Sequence, residues 1–157
     1  MEIYHKELYV IITAMAPYAE LRLAIPLAWK FGLMAFEAYV LAVIGNMIPV
    51  VPIMLLIKPL SRGLDHIPVC RRFFNYILSR CRRHQSGIQK YGYWGLTLFV
   101  AVPLPMTGAW TGAALAILMG LRKRIALLAI LLGVMIAGLI VTIATYGLAH
   151  LFGNSVN

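Results

Sequence analysis

Residues 7–32 read ELYVIITAMA-PYAELR-LAIPLAWKFG, two apolar arms of about ten residues joined by a proline-led polar centre. An arm of ten helical residues rises only about 15 Å, half of a hydrocarbon core of about 30 Å. Pro17 and Pro26 interrupt the helical hydrogen bonds where a straight span would need them. The segment therefore reads as a re-entrant helical hairpin that dips toward the midplane and returns, its broken backbone covered by protein and not lipid.

Residues 95–120 repeat the pattern as GLTLFVAV-PLPMTG-AWTGAALAILMG, with Pro103, Pro105 and Gly108 at the second tip. Sliding the chain by 88 residues places Pro17 on Pro105, Gly32 on Gly120 and Gly45 on Gly133. Leu27, Ala28, Leu33 and Ala38 meet Leu115, Ala116, Leu121 and Ala126 at the same offset. The matched residues mark hairpin tip, hairpin exit and an expected mid-span bend in each half. Each hairpin is followed by an apolar block of about 25 residues (33–57 and 125–149), long enough to cross a bilayer. The first of these blocks is expected to bend at Gly45, Pro49 and Pro52.

Composition agrees with a membrane setting. Of 157 residues, 62% are hydrophobic and 12% charged, and mean hydropathy is +0.85. A soluble domain carries about 25% charged residues. The net charge of +9 reads as a topology signal and not as a nucleic-acid footprint. Re-entry of the second hairpin puts the basic stretch 58–90 and the Arg122-Lys123-Arg124 cluster on one side; a plain span would strand three cations in a tiny outside loop. With eleven of fourteen cations cytoplasmic, the first hairpin opens outward, both termini lie outside, and the halves are inverted. Glu2 and Glu7 oppose a cleaved signal peptide, although Ala14-Met15-Ala16 imitates a cleavage site.

The expected fold is thus all-α and integral to the prokaryotic inner (plasma) membrane, one multi-pass domain over 1–157. Repeat 1 covers 7–57, the basic linker 58–90, repeat 2 covers 91–149, and a short tail spans 150–157. Within the linker, Phe73, Phe74, Tyr76, Ile77 and Leu78 lie among arginines, as in an amphipathic helix on the cytoplasmic face beside lipid phosphates; a topology-setting loop has the same composition. Two hairpins and two spans make a thin wall, so a homodimer is expected.

Charged residues at the membrane midplane are costly and by default functional, which singles out Glu20 and Arg22. Glu20 is the expected ion-coupling carboxylate, its titration open to burial and to Arg22. Arg22 would hold an anionic group of the substrate. The bland alternative is a structural ion pair locking the hairpin. Tyr18, Asn46, Thr107, Trp110 and Thr111 complete the expected substrate-binding set, Trp110 matching Arg22 at the repeat offset. Gly108 and Gly112 suit close helix packing as well. Asn46 either reaches the first tip or hydrogen-bonds a neighbouring helix, and Glu37 sits near the outer interface as a solvated end. His66, Cys70, Cys81 and His84 lack the tight knuckle spacing of a zinc site and are crowded by arginines, so no metal and no cofactor is expected. Cys70 and Cys81 read as reduced thiols, about 16 Å apart on a helix. Catalytic residues are not expected: there is no phosphate loop or nucleophile elbow, and Asp65 is the sole acid after Glu37.

The run AELRLAIPLA, then GN-x-x-P, then VPLPMTGAWTG resembles the small multidrug export protein family over nearly the whole chain. That family is distantly similar to the DedA (VTT-domain) membrane proteins. The resemblance implies an inverted pair of hairpin-plus-span units, proton-linked transport, and a small-molecule or lipid-phosphate substrate. It also implies an acid in the first hairpin, which Glu20 matches, and arginines in the second, which this chain lacks. A proton-coupled secondary transporter or exporter is the leading expectation. A translocase of polyprenyl-phosphate or other phospholipids, and a non-transporting membrane scaffold, are the alternatives.

Overall fold

The computed structural model describes residues 2–55, 92–103, 108–118 and 120–151. The amphipathic segment, Cys70, Cys81, His66 and His84 of the linker lie outside the described residues, as do Pro105 and Thr107 of the second tip. Every described element is a helix, and no strand occurs among the described residues.

Helix α1 (Glu2–Met15) stops before Pro17, whose ring disfavours helical backbone at Ala16. Helix α2 (Glu20–Lys30) follows and packs back against α1. Helix α3 (Ala35–Met47) is interrupted at Ile48 and Pro49 and resumes over 50–55. In the second half, α4 (Gly92–Ala101) and α5 (Ala109–Leu118) precede α6 (Lys123–Leu151).

Two helical stretches are long and apolar enough to cross a membrane: Ala35–Leu55, with 21 residues and mean hydropathy 2.0, and Lys123–Leu151, with 29 residues and mean hydropathy 2.8. Their lengths are about 31 and 43 Å. Along α6, Leu128, Leu132, Met135, Leu139 and Ile143 are exposed at helical spacing, a stripe suited to lipid. The protein is a membrane protein, all-helical in its described parts.

Two chain reversals use the same chemistry. Gly32 (φ 80) and Gly120 (φ 67) take the left-handed conformation that glycine adopts without a Cβ penalty. Leu33 N–H then bonds Ala28 C=O and Leu121 N–H bonds Ala116 C=O, at 3.1 and 3.0 Å. These caps satisfy the last carbonyls of α2 and α5 and turn the chain into the two long helices.

Small residues dominate the core. Ala14, Ala24, Ala28, Ala38, Ala42, Ala113, Ala116 and Ala126 are buried between helices. α1 packs on α3, α2 on both α3 and α6, and α5 on α6. Glycine permits close backbone approach where α1 meets α3 and where α4 meets α6. A Cβ on Gly45 would lie 2.8 Å from both Ala14 Cβ and Ile11 O; one on Gly133 would lie 2.7 Å from Val100 Cβ and 2.8 Å from Thr97 O. Glycine at both positions therefore has a packing reason beside the expected bend. Helix runs through both Gly45 and Gly133, whose missing side chains serve close approach; the interruption of α3 falls two residues past Asn46, at Ile48-Pro49.

Gly45→Val and Gly133→Val should each destabilise the protein by about 1–3 kcal/mol through overpacking. Gly147→Ala, with open space around its Cα, should be neutral or stabilising by up to about 1 kcal/mol. Unfolding midpoints in detergent give the comparison, and equal midpoints for all three would contradict the packing.

Candidate functional site

Glu20 opens α2 with φ 46, an uncommon left-handed conformation for a residue with a Cβ, costing about 1–2 kcal/mol. Its amide still reaches Ala16 C=O at 3.0 Å, so the strain belongs to a formed turn. This conformation accompanies a side chain that is only 6% exposed.

The Glu20 carboxylate lies against Gly108, so closely that a Cβ at Gly108 would fall within the carboxylate itself. It accepts a hydrogen bond from the backbone N–H of Trp110 in the first turn of α5. Helix N-termini carry free N–H groups and partial positive charge, so this seat suits an anion. Arg22, two residues along the same chain, is the charged neighbour of Glu20. Gly108 stands 88 residues after Glu20, so the two positions matched by the sequence offset touch each other.

Trp110 has a second role. Its indole Nε1–H donates to Met15 C=O at 3.1 Å, occupying the last carbonyl of α1. One residue of the second half thus ties down both sides of the first helix break. Thr111 donates its hydroxyl to Gly108 C=O at 3.0 Å, which stabilises the first turn of α5.

Beside the carboxylate is a small cavity of about 10 Å³, room for about one water. Among the described residues, Glu20, Arg22 and Asn46 give its polar wall, and Val100, Pro103, Val134 and Ala137 line it with apolar groups. Asn46 is 1% exposed, and neither its Oδ1 nor its Nδ2 has a hydrogen-bond partner among the described residues. The expected helix-to-helix hydrogen bond at Asn46 is therefore not found there, while its proximity to the first tip is. An unmet buried amide costs about 1–3 kcal/mol, so its place beside a polar cavity is informative.

The structure thus gathers Glu20, Arg22, Asn46, Pro103 and Gly108 at one point, with Trp110 bonded to it. Tyr18 is 70% exposed and does not line the cavity, and Thr111 is likewise absent from its wall. Pro17 follows the end of α1, whereas Pro26, expected at the tip as a helix break, lies inside α2; neither lines the cavity. Glu37 is exposed and accepts the Met34 N–H at 3.2 Å, capping α3. Sequence reasoning missed the α6 wall and the seat at Gly108; the offset pairing of an acid with a glycine was the available signal. No group of metal-binding side chains occurs among the described residues.

A family model described as "Putative small multi-drug export protein" matches residues 20–140. The match spans most of the chain, and the chain belongs to that family. It takes in Glu20, Arg22, Asn46, Gly108 and Trp110 together. No curated protein matches the chain, and no solved structure does.

Gly108→Ala should displace the Glu20 carboxylate and lower stability, and Glu20→Ala should relieve that clash. A double-mutant cycle measured by unfolding is expected to give a coupling of about 1–3 kcal/mol. Additive effects would mean that the two residues do not meet.

Proposed function

We propose that this member of the small multidrug export family is an ion-coupled secondary transporter in which Glu20 carries the coupling proton between two opposed re-entrant hairpins. The observation that carries the proposal is the buried Glu20 carboxyl at the contact of one half's helix break with the other half's helix start. A charge is retained in such a place at high cost, which is the usual mark of a transport pathway.

Several features support opposed repeats. Gly32 and Gly120 form the same cap at the 88-residue offset. Gly45 and Gly133 each meet a carbonyl oxygen of the preceding short arm and a side chain one helical turn further along it. Basic residues on both sides of the second hairpin favour its return to the cytoplasm, with the termini outside. In this proposal α1–α2 and α4–α5 are the hairpins, α3 and α6 the spans, and a homodimer the working unit.

The mechanism follows from the seat of the carboxylate. When ionised, Glu20 binds the α5 N-terminus through the Trp110 N–H and is drawn to Arg22. That contact joins the halves and leaves space for only about one water beside it. Protonation removes the charge that both partners attract, so the halves separate and a pathway opens; release of the proton to the other side restores the contact. Arg22, relieved of Glu20, then faces the opened space as an anchor for an anionic group of the cargo.

Proteoliposomes loaded with a pH-sensitive dye test the reading, using a panel of fluorescent drugs and a fluorescent phospholipid as cargo. Wild type should couple drug movement to proton flux, Glu20→Gln should lose both, and Glu20→Asp should retain part. Full activity of the Gln variant would overturn the proposal, and lipid movement without drug movement would reassign the cargo.

Topology has its own check. In a protein with Cys70 and Cys81 replaced by serine, Arg62→Cys and Lys123→Cys should react with an impermeant thiol reagent from one face and Asn154→Cys from the other. Reaction of Arg62→Cys and Lys123→Cys from opposite faces would make the second hairpin a plain span.

A further inference from the structure

Asn46 is the polar group that the mechanism above leaves without work. It lies on α3, where a carboxamide would ordinarily face a hydrogen-bonding neighbour, and it is almost wholly enclosed. Its carbonyl can accept and its amino group can donate, and neither does so among the described residues. The cavity that it lines is shared with Glu20 and Arg22 and is about 10 Å³ in volume. That is enough for one water and too little for a drug-sized molecule.

A buried water needs two to four polar partners. This cavity offers the Asn46 carbonyl and amino groups, the Glu20 carboxylate and the Arg22 guanidinium. A bare sodium ion would meet the Asn46 carbonyl and Glu20 favourably, but it would also meet the positive charge of Arg22. Water, which both donates and accepts, suits all three side chains. Glu20 and Arg22 are the charged side chains on the cavity wall among the described residues; α3, α4, α5 and α6 contribute only Asn46 and apolar groups.

We propose that Asn46 holds a single water against the Glu20 carboxyl, forming a one-water site between the helix break and α3, and that Asn46 is thereby the positioning residue for proton exchange at Glu20. The inference rests on Glu20 being the coupling group. In the exchange, a proton arriving as hydronium forms an O–H bond to a Glu20 carboxylate oxygen and leaves its O–H bond in the hydronium. The products are a neutral carboxyl and a neutral water still held by Asn46; release runs the same step backwards. Among the described residues lining this cavity, the water connects α3 to the helix break through Asn46. The loading of Glu20 is therefore felt at the interruption of α3, two residues beyond Asn46.

The test uses the full-length protein in lipid. Infrared difference spectra between acid and alkaline pH are recorded in ordinary water and in ¹⁸O-water, alongside proton flux in liposomes. Wild type should show a Glu20 carboxyl C=O band, identified by its loss in Glu20→Gln, and a water O–H band that shifts with ¹⁸O. Asn46→Leu, similar in volume but apolar, should lose the water band, move the C=O band to higher wavenumber, and slow proton flux on the order of tenfold to a hundredfold. Asn46→Ser, which replaces the carboxamide with a hydroxyl that can still donate and accept and adds room for a second water, should restore the ¹⁸O-sensitive band and most of the flux.

A water band and C=O position unchanged in both Asn46 variants, with flux intact, would overturn the water site while leaving Glu20 as the coupling group. Full flux in Glu20→Gln would instead remove the reading on which it rests. Bands that respond to sodium at constant pH would assign the site to a cation and overturn the proposal. Loss of the Asn46→Leu fold is recognised by its melting profile, and Asn46→Ser then decides alone: an absent ¹⁸O-sensitive band in a folded Ser variant overturns the site.

Discussion

A carboxylate removed from water must find donors and counter-charge or be expelled, and much of this protein is arranged around one such group. Glu20 is enclosed where α1 stops and α2 begins, at the point where backbone groups are also short of partners. The second half supplies what is missing. Gly108 leaves the space, the Trp110 amide donates to the carboxylate, and the Trp110 indole takes the terminal carbonyl of α1. A helix break that would be untenable alone becomes stable when another helix N-terminus is set against it. The left-handed turn at Glu20 is the local cost of pointing its side chain into that seat.

Bringing two breaks together requires short helices to approach closely, and lipid provides little hydrophobic drive for that. Alanine and glycine answer the need. The short arms meet the long helices through Ala14 at Gly45 and through Val100 at Gly133, where a larger side chain would hold the backbones apart. Polar side chains then fasten the elements to backbone carbonyls: Tyr146 to Leu33 at 2.7 Å, Tyr39 to Met135 at 3.3 Å, and Thr97 to Ala129 at 3.1 Å. Each of these links runs from a side-chain donor to the main chain of another element, so the assembly depends on helix position more than on matched pairs of side chains.

Part of this was legible in the sequence because its signals are local. Pro17 ends α1, Gly32 and Gly120 turn the chain, and long apolar runs mark the two long helices. Glu20, Arg22 and Asn46 stood out as polar residues in apolar surroundings, and the fold does bring them to one cavity. What the sequence hides is relational. Gly45 and Gly133 read as bends because glycine lowers helix propensity, yet close approach by a neighbouring helix demands the same residue. Tyr18 and Arg22 each lie two residues from the acid in sequence, yet Tyr18 is exposed away from the cavity while Arg22 lines it. Gly108 carries no chemical signature at all; its role is the absence of a side chain where another residue's carboxylate must go.

The unequal tips follow from the same contact. Glu20 and Gly108 occupy positions matched by the sequence offset, and they touch. Had both positions carried acids, two carboxylates would share one small site, where like charges cannot both remain ionised. Had both been glycine, the α5 N-terminus would face no anion and the two breaks would have no electrostatic bond. One acid against one glycine is the arrangement that gives a tight contact between the halves with a single carboxylate at its centre. At this meeting of the two halves Gly108 supplies the space, the Trp110 amide supplies the donor, and Glu20 supplies the charge.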